Sequence, residues 1–186
     1  MREILRLANR DELHQWMADH HDTEPYCFVI CKRGKPPVDG SLWYVDVVEE
    51  ALCFGWIDST LQRLPSGENA QKLMPRSRKS HWTELNKQRC RRMEQLGLMT
   101  DAGRAVMPDL DEPFQIREDI LEALKSDPVI WENFLKFPDL YQRIRIDNIQ
   151  GYARSKEEQE KLIAKLIQTS KEGVMYGQWN DYGRLN

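Results

Sequence analysis

The hydrophobic period of the chain changes at about Ser80, and this change limits the folds that the chain can adopt. Before it, the runs 26–32, 56–64 and 70–74 are rich in β-branched and aromatic residues, which favour strands. The stretch 65–69 has the length and chemistry of a hairpin loop. After it, apolar residues recur at helical spacing. The sequence predicts an α+β fold, with a small, mostly antiparallel sheet of about three strands packed with helices and a predominantly helical C-terminal half.

Capping residues predict where the helices begin and end. Helices are expected over 3–20, with a candidate restart at Asn9 or Asp11, over 41–54 and over 80–96. Further helices are expected to begin at four points, namely after Thr100, at Asp127-Pro128, after Pro138 and at the capping box that joins Ser155 to Glu158. The proline-bounded stretch 108–113 divides the chain. We therefore expect a motif-bearing α+β region, 1–108, and a helical region, 109–186, packed as one compact unit.

Composition and charge exclude several classes of protein. Hydrophobic residues make up 40% of the chain, and six Trp, six Tyr and five Phe argue against disorder. The net charge of -3 argues against a globally basic nucleic-acid binder. No apolar run approaches the roughly 18 residues of a membrane span, and the N-terminus lacks a signal-peptide pattern. We therefore expect a cytoplasmic protein with free cysteines.

The segment 76–92 is the strongest local charge feature. Seven basic side chains against Glu84 alone give it a charge of +6, and they are Arg76, Arg78, Lys79, Lys87, Arg89, Arg91 and Arg92. Basic residues just before a helix N-terminus favour a phosphate or carboxylate. The alternative is a solvated helix face that pairs with the acidic cluster beginning at Asp109. Both interpretations stay open, although the arginines of 89–92 point to at least two helix faces.

The segments 56–60 and 80–82 hold the candidate binding site. Strand alternation places Trp56, Asp58 and Thr60 on one face, where an aromatic ring, a carboxylate and a hydroxyl can line a pocket. A buried Asp58 would need a partner, and Arg76 and Arg78 are the cationic candidates. The alternative is a structural ion pair with a hydroxyl cap.

Nucleophilic, metal and cofactor chemistry find little support in the sequence. It contains no Gly-x-Ser-x-Gly elbow, Walker loop or dinucleotide glycine fingerprint. Cys27 and Cys31 would lie roughly 13 Å apart on a strand, too far for one metal ion. His14 and His81 have no obvious acidic partner in the sequence around them. We expect no metal and no cofactor, and we favour a protein without catalytic activity. The aromatic stretch 177–185 is expected to pack on the body, with closure over a pocket as the alternative.

Three segments resemble the YdeI/OmpD-associated family, also called bacteriocin-protection proteins. They are EEALCFGWIDS at 49–59, PRSRKSHWTELN at 75–86 and GLMTDAG at 97–103, and the resemblance covers about 10–150. It implies a bacterial protein linked to tolerance of antimicrobial peptides and bacteriocins, with no established reaction. A shared site would draw on Trp56, Asp58, Ser59, Arg76, Ser80, Trp82 and Asn86. Many relatives end in a basic helix from which this chain departs at 148–155.

Three hypotheses follow from these features. The leading one is a stress-tolerance protein that binds a small anionic ligand or a protein partner. The second is an enzyme in which Asp58 acts as a general acid or base, in a pocket with Ser59, Arg76 and Ser80. The third is nucleic-acid binding through 76–92, which ranks last because its basic residues point in several directions. No membrane span is expected.

Overall fold

The computed structural model describes residues 4–152 and 155–185, and these divide into two compact units. Unit 1 holds the residues up to Ser80 together with Arg89–Leu110. Unit 2 holds His81–Gln88 and the residues from Asp111 onward.

The described elements alternate between strands and helices only in the first half of the chain. They are β1 (Ile4–Leu5), α1 (Arg10–His20), β2 (Cys27–Ile30), α2 (Tyr44–Cys53), β3 (Trp56–Arg63), β4 (Asn69–Pro75), α3 (Glu84–Gln95), α4 (Asp101–Arg104), α5 (Glu118–Lys125), α6 (Pro128–Lys136), α7 (Asp139–Tyr152) and α8 (Lys156–Glu172). This arrangement confirms the α+β class.

The sheet of unit 1 has four strands in the order β1-β2-β4-β3. β2, β4 and β3 are antiparallel neighbours, as predicted, whereas β1 pairs in parallel with β2 and makes the sheet mixed. The prediction of a helix over the first residues was therefore wrong at Ile4 and Leu5. The reason is local, because Asn9 caps α1 by accepting a hydrogen bond from the amide of Glu12 and leaves the preceding residues extended.

The core of unit 1 lies between the sheet and helices α1 and α2. Leu13 and Met17 of α1 are fully buried, as are Val29 and Leu73 on the strands. Helix α2 buries eight of its ten residues, which include two glutamates. Its predicted cap was wrong, because the Ser41 hydroxyl donates to Asp39 at 2.6 Å and the helix starts only at Tyr44.

Helix α3 begins three residues later than predicted. The amide of Asn86 donates to the Thr83 hydroxyl at 3.1 Å, so Thr83 caps the helix in place of Ser80. Leu96, the last residue of the predicted helix, is 52% exposed because it lies beyond the last turn of α3. Three other predicted caps are confirmed, since the side chains of Thr100, Asp127 and Ser155 each accept a backbone N–H of the helix that follows.

Unit 2 has its own apolar core, built from helices α5 to α8. Its central residues are fully or nearly fully buried, namely Ile120, Leu124, Ile130, Phe134, Ile146, Ile149 and Leu166. After α8 the chain packs against α7, where Leu185 contacts the cluster of Leu140 and Ile144. The predicted packing of the C-terminal stretch is thereby confirmed within this unit.

No helix in the described parts of the chain combines the length and the apolar character that crossing a membrane requires.

Candidate functional site

Trp56, the first predicted site residue, lies at the start of β3 with 1% of its surface exposed. Its indole N–H donates to the carbonyl of His21 at 3.0 Å, and its ring meets Trp16 edge to face at 6.2 Å. These contacts place the Trp56 ring in the core of unit 1, where it packs against Trp16 of α1.

Asp58 receives a hydrogen bond of 2.6 Å from the hydroxyl of Tyr44. The prediction of Arg76 or Arg78 as its partner was wrong, because the hydrogen bond that reaches this carboxylate comes from α2. Burial raises the pKa of Tyr44, and the negative charge of Asp58 raises it further. Tyr44 therefore stays protonated and donates to Asp58 across the physiological pH range.

Ser59 and Thr60 are exposed, and the register of β3 against β4 shifts between Asp58 and Leu61. The strand alternation that was expected to carry Thr60 onto the face of Asp58 is interrupted there. Of the three residues predicted to share one face of the strand, Trp56 and Asp58 precede the interruption and Thr60 lies within it.

Arg76 and Ser80 follow β4. Arg76 is 6% exposed, and its amide donates to the carbonyl of Gly55 at 2.9 Å. Burial raises the pKa of the Cys90 thiol to about 12, against the opposing positive charge of Arg76. Ser80 is half-buried, and its amide closes a turn on the carbonyl of Ser77.

Trp82 and Asn86 belong to unit 2, whereas the other five predicted site residues belong to unit 1. Both are half-buried. Their neighbourhood in unit 2 is polar, because the carboxylate of Asp147 accepts the amide of Glu84 at 3.0 Å and lies 3.3 Å from Nε2 of His81. Burial raises the pKa of Asp147.

An open cleft of about 560 Å³ lies beside the end of β2 in unit 1. Its lining comes from the chain after β1, the end of β2, the loop before α2 and the β3–β4 hairpin, and consists of Arg6, Leu7, Ala8, Ile30, Cys31, Lys32, Arg33, Ser41, Leu42, Gly67, Glu68 and Asn69. This volume is in the range of small-molecule sites.

Arg33 connects this cleft to the Asp58 cluster. Its guanidinium lies 3.9 Å from the centre of the Tyr44 ring and donates to the amide oxygen of Gln71 at 2.8 Å. Tyr44 in turn donates to Asp58, so a predicted site residue supports one wall of the cleft. The stacked ring and the hydrogen bond hold a flexible side chain in one place.

The charges of the cleft favour an anion. Arg6, Lys32 and Arg33 face Glu68 alone, which leaves two positive charges in excess. Glu68 is paired with Arg6, and the hydrogen bonds from Arg6 and Ser66 lower its pKa to about 2. Apolar side chains, among them Ile30 and Leu42, line the same space.

Cys31 lines the cleft but is a poor nucleophile. Burial raises the pKa of its thiol to about 11, while the positive charge of Arg33 opposes this rise. Only a minute fraction of the Cys31 side chains is in the thiolate form at neutral pH. The Cys31 thiol is therefore not activated for covalent chemistry at neutral pH.

A second polar cluster joins α1 to α2. Glu49 and Glu50 are 0% and 1% exposed, and Arg10 binds both carboxylates. Arg92 also binds Glu49, at 3.0 Å, and Nδ1 of His14 lies 2.9 Å from Glu50. Sequence inspection gave no obvious acidic partner for His14 or His81, because their partners, Glu50 and Asp147, are remote in sequence.

The basic segment is dispersed by the fold. Arg76 and Arg89 are each 6% exposed, Arg92 binds Glu49, and Arg91 donates to the carbonyl of Leu110. Arg78 and Lys79 remain exposed. The residues therefore do not form one cationic stripe.

Sequence reasoning missed Lys32, Arg33 and Tyr44. Lys32 ends the predicted strand run 26–32, Arg33 follows it, and Tyr44 falls inside the helix predicted over 41–54. A detectable signal is the basic stretch Lys-Arg-Gly-Lys at 32–35, which directly follows a buried strand.

Comparison with family models gives two matches. Residues 5–106 match a domain of unknown function, DUF8412, and residues 113–173 match the family described as bacteriocin-protection, YdeI or OmpD-associated. The predicted resemblance is confirmed by the second match. The three segments that suggested the resemblance lie within 5–106, the region of the first match. The resemblance and the second match therefore rest on different residues. Searches of curated proteins and of solved structures returned no match.

Proposed function

Because the chain belongs to the DUF8412 family over 5–106 and is a YdeI/OmpD-associated protein over 113–173, we propose that it contributes to tolerance of antimicrobial peptides and bacteriocins by binding a small anionic ligand. The ligand site is the cleft of unit 1. The ligand combines an anionic group with an apolar part.

The observation that carries this proposal is the pairing of charge and apolar lining in one space. Lys32 and Arg33 stand beside Ile30 and Leu42 around about 560 Å³. An anion gains from the cations, and an apolar chain gains about 25 cal/mol for each Å² removed from water. A ligand that uses both the cations and the apolar side chains must therefore carry an anionic group and an apolar part.

Two of the site residues predicted from the sequence support the cleft indirectly. Asp58, through Tyr44, supports the position of Arg33, and Trp56 anchors the start of the same strand. The other residues predicted from the sequence do not line the cleft, and they are Ser59, Arg76, Ser80, Trp82 and Asn86. A protein partner that presents an acidic group would use the same cations.

Two observations favour binding over the alternative functions. The carboxylate of Asp58 is engaged by Tyr44, and the Cys31 thiol has a pKa near 11, so neither is poised for catalysis. Burial of Arg76 and Arg89 removes two of the seven basic residues that a nucleic-acid surface over 76–92 would use.

The test is binding of octanoate, measured by isothermal titration calorimetry. We expect Lys32→Gln and Arg33→Gln each to weaken binding, by about threefold to tenfold, because each removes one charge-assisted contact. The matched control is Lys35→Gln, which removes an exposed cation from the same loop but outside the cleft lining.

The same variants connect binding to tolerance. Cells that produce Lys32→Gln should lose peptide tolerance relative to cells that produce Lys35→Gln, at equal protein levels. Equal octanoate binding by all three variants would contradict the ligand site. Equal tolerance despite weakened binding would separate the site from the phenotype.

A further inference from the structure

We infer that the Glu68 carboxylate occupies the position of the ligand's own carboxylate, so that the ligand binds by displacing Glu68 from Arg6. This inference rests on the proposed function and deepens it, because it specifies the anionic group. The ligand class is a monocarboxylate with an apolar chain.

The geometry of the pair is that of carboxylate recognition. Nη1 of Arg6 lies 2.6 Å from Oε1 of Glu68, and Nη2 lies 2.8 Å from Oε2. Two parallel N–H donors on one planar carboxylate form the fork that arginine uses for bidentate binding. A carboxylate ligand reproduces both bonds.

The two residues are held at the cleft by different elements. Arg6 follows β1, whereas Glu68 lies in the β3–β4 hairpin loop, where the Ser66 hydroxyl donates to its Oε2 at 2.8 Å. The amide of Leu64 donates to the carbonyl of Glu68 at 2.8 Å and holds its backbone in the turn. Displacement therefore requires only a side-chain rotation of Glu68.

The pair is exchangeable because it is exposed. The side chains of Arg6 and Glu68 are 57% and 39% exposed, and ion pairs at such exposure contribute little to stability. A ligand carboxylate at Arg6 makes the same two hydrogen bonds as Glu68, but its binding also costs translational and rotational freedom that the tethered Glu68 does not lose. The apolar chain, in contact with residues such as Ile30 and Leu42, then decides the balance in favour of the ligand.

This arrangement makes Glu68 a competitor that lowers ligand affinity. Glu68→Gln should bind octanoate about two- to fivefold more tightly than the wild-type chain, because Arg6 no longer has an internal carboxylate. Octanamide, the neutral analogue, should bind with the same affinity to both. Arg6→Gln should weaken octanoate binding, and adding Glu68→Gln to it should restore nothing.

Calorimetry on these four proteins tests the inference against a general charge effect. Glu68→Gln removes one negative charge both from the wild-type chain and from Arg6→Gln. An equal gain in octanoate affinity in the two proteins would therefore overturn displacement at Arg6. The matched control is Glu94→Gln, which releases Arg104 from an exposed two-bond pair at 2.8 and 2.9 Å outside the cleft. Its octanoate affinity should equal that of the wild-type chain.

The outcomes separate the two proposals. If the wild-type chain binds octanoate in a Lys32-dependent manner but Glu68→Gln binds no more tightly, only the displacement is overturned. If neither the wild-type chain nor Glu68→Gln binds octanoate, the proposed function and the displacement both fail. Tighter binding by Glu68→Gln that depends on Arg6 supports both.

Discussion

Nε of Arg10 donates to Oε1 of Glu50 across 2.5 Å, although Glu50 is only 1% exposed. The second oxygen of Glu50 lies 2.9 Å from Nδ1 of His14. Burial acts against the charge of Arg10, but Glu50 and Glu49 outweigh it and raise the pKa of Arg10. Helices α1 and α2 are therefore joined by buried charges as well as by apolar packing.

Glu50→Gln should destabilise the protein by about 3 kcal/mol, because it removes one partner from a buried ion pair and leaves the other charges undercompensated. Chemical denaturation followed by circular dichroism measures the change. Glu94→Gln, in the exposed pair with Arg104, is the control and should leave the midpoint unchanged. Equal midpoints for the two variants would show that the buried pair contributes nothing net.

Cys31 should be the first cysteine to react with a thiol reagent. It is half-buried and lines the cleft, whereas Cys27, Cys53 and Cys90 are buried. Its reaction should be slow at pH 7 and accelerate toward pH 11, where its thiol ionises. Mass spectrometry after brief labelling with iodoacetamide identifies the site. Octanoate should protect Cys31 if it fills the cleft, and labelling that is indifferent to octanoate would contradict the ligand site.

The stability of the fold should fall in alkali partly through Cys90. Burial raises the pKa of this thiol from about 9 to about 12, so the unfolded chain releases the proton first. The resulting stabilisation is complete below pH 9 and is lost as the pH rises from 9 to 12. Between these values the unfolding free energy of the wild-type chain should decline more steeply than that of Cys90→Ala, by up to about 1.4 kcal/mol per pH unit. Parallel declines would be evidence against this assignment.

Arg145→Met should release the C-terminal stretch from α7. The guanidinium of Arg145 lies 4.9 Å from the centre of the Tyr176 ring and donates to the carbonyl of Gln178 at 2.6 Å. Without it, limited chymotrypsin digestion should cleave after Tyr176 and Trp179 several times faster. Lys161→Met, in an exposed ion pair on α8, is the control and should digest like the wild-type chain. Resistance of Arg145→Met would indicate that aromatic packing alone holds the stretch.

Gly103→Ala should prevent close packing of α4 against α2. An added Cβ would lie 2.8 Å from the carbonyl oxygen of Leu52, a backbone atom that has little freedom to move. The expected loss is about 3 kcal/mol, measured by thermal or chemical unfolding. Ala105→Ser, at an exposed position after the same helix, should have little effect. A stable Gly103→Ala variant would mean that α4 can shift.

Local sequence patterns predicted the elements whose signals are local. The strands 56–63 and 69–75 and the caps at Asp127 and Ser155 were predicted correctly, because hydrophobic period and side-chain caps act within a few residues. The pairing of Ile4 and Leu5 with β2 was not predictable from these signals. It depends on a partner strand more than twenty residues away.

The candidate site was harder to predict because its contacts cross the sequence. Asp58 was identified, but its partner Tyr44 lies on a different element, α2, 14 residues earlier in the chain. Arg6 and Glu68 are 62 residues apart, and nothing in either local sequence links them. Trp82 and Asn86 were grouped with Trp56 by motif, although they belong to a different compact unit.

The sequence by itself determined the α+β class, most helix boundaries and the resemblance to the bacteriocin-protection family, because periodicity, capping and motif order are properties of neighbouring residues. Only the tertiary structure decided where the charges of this chain act. It buried Glu49 and Glu50 against Arg10 and Arg92, and it dispersed the basic segment. A charge has its effect through its burial and its nearest opposite charge, and both are set by contacts between distant parts of the chain.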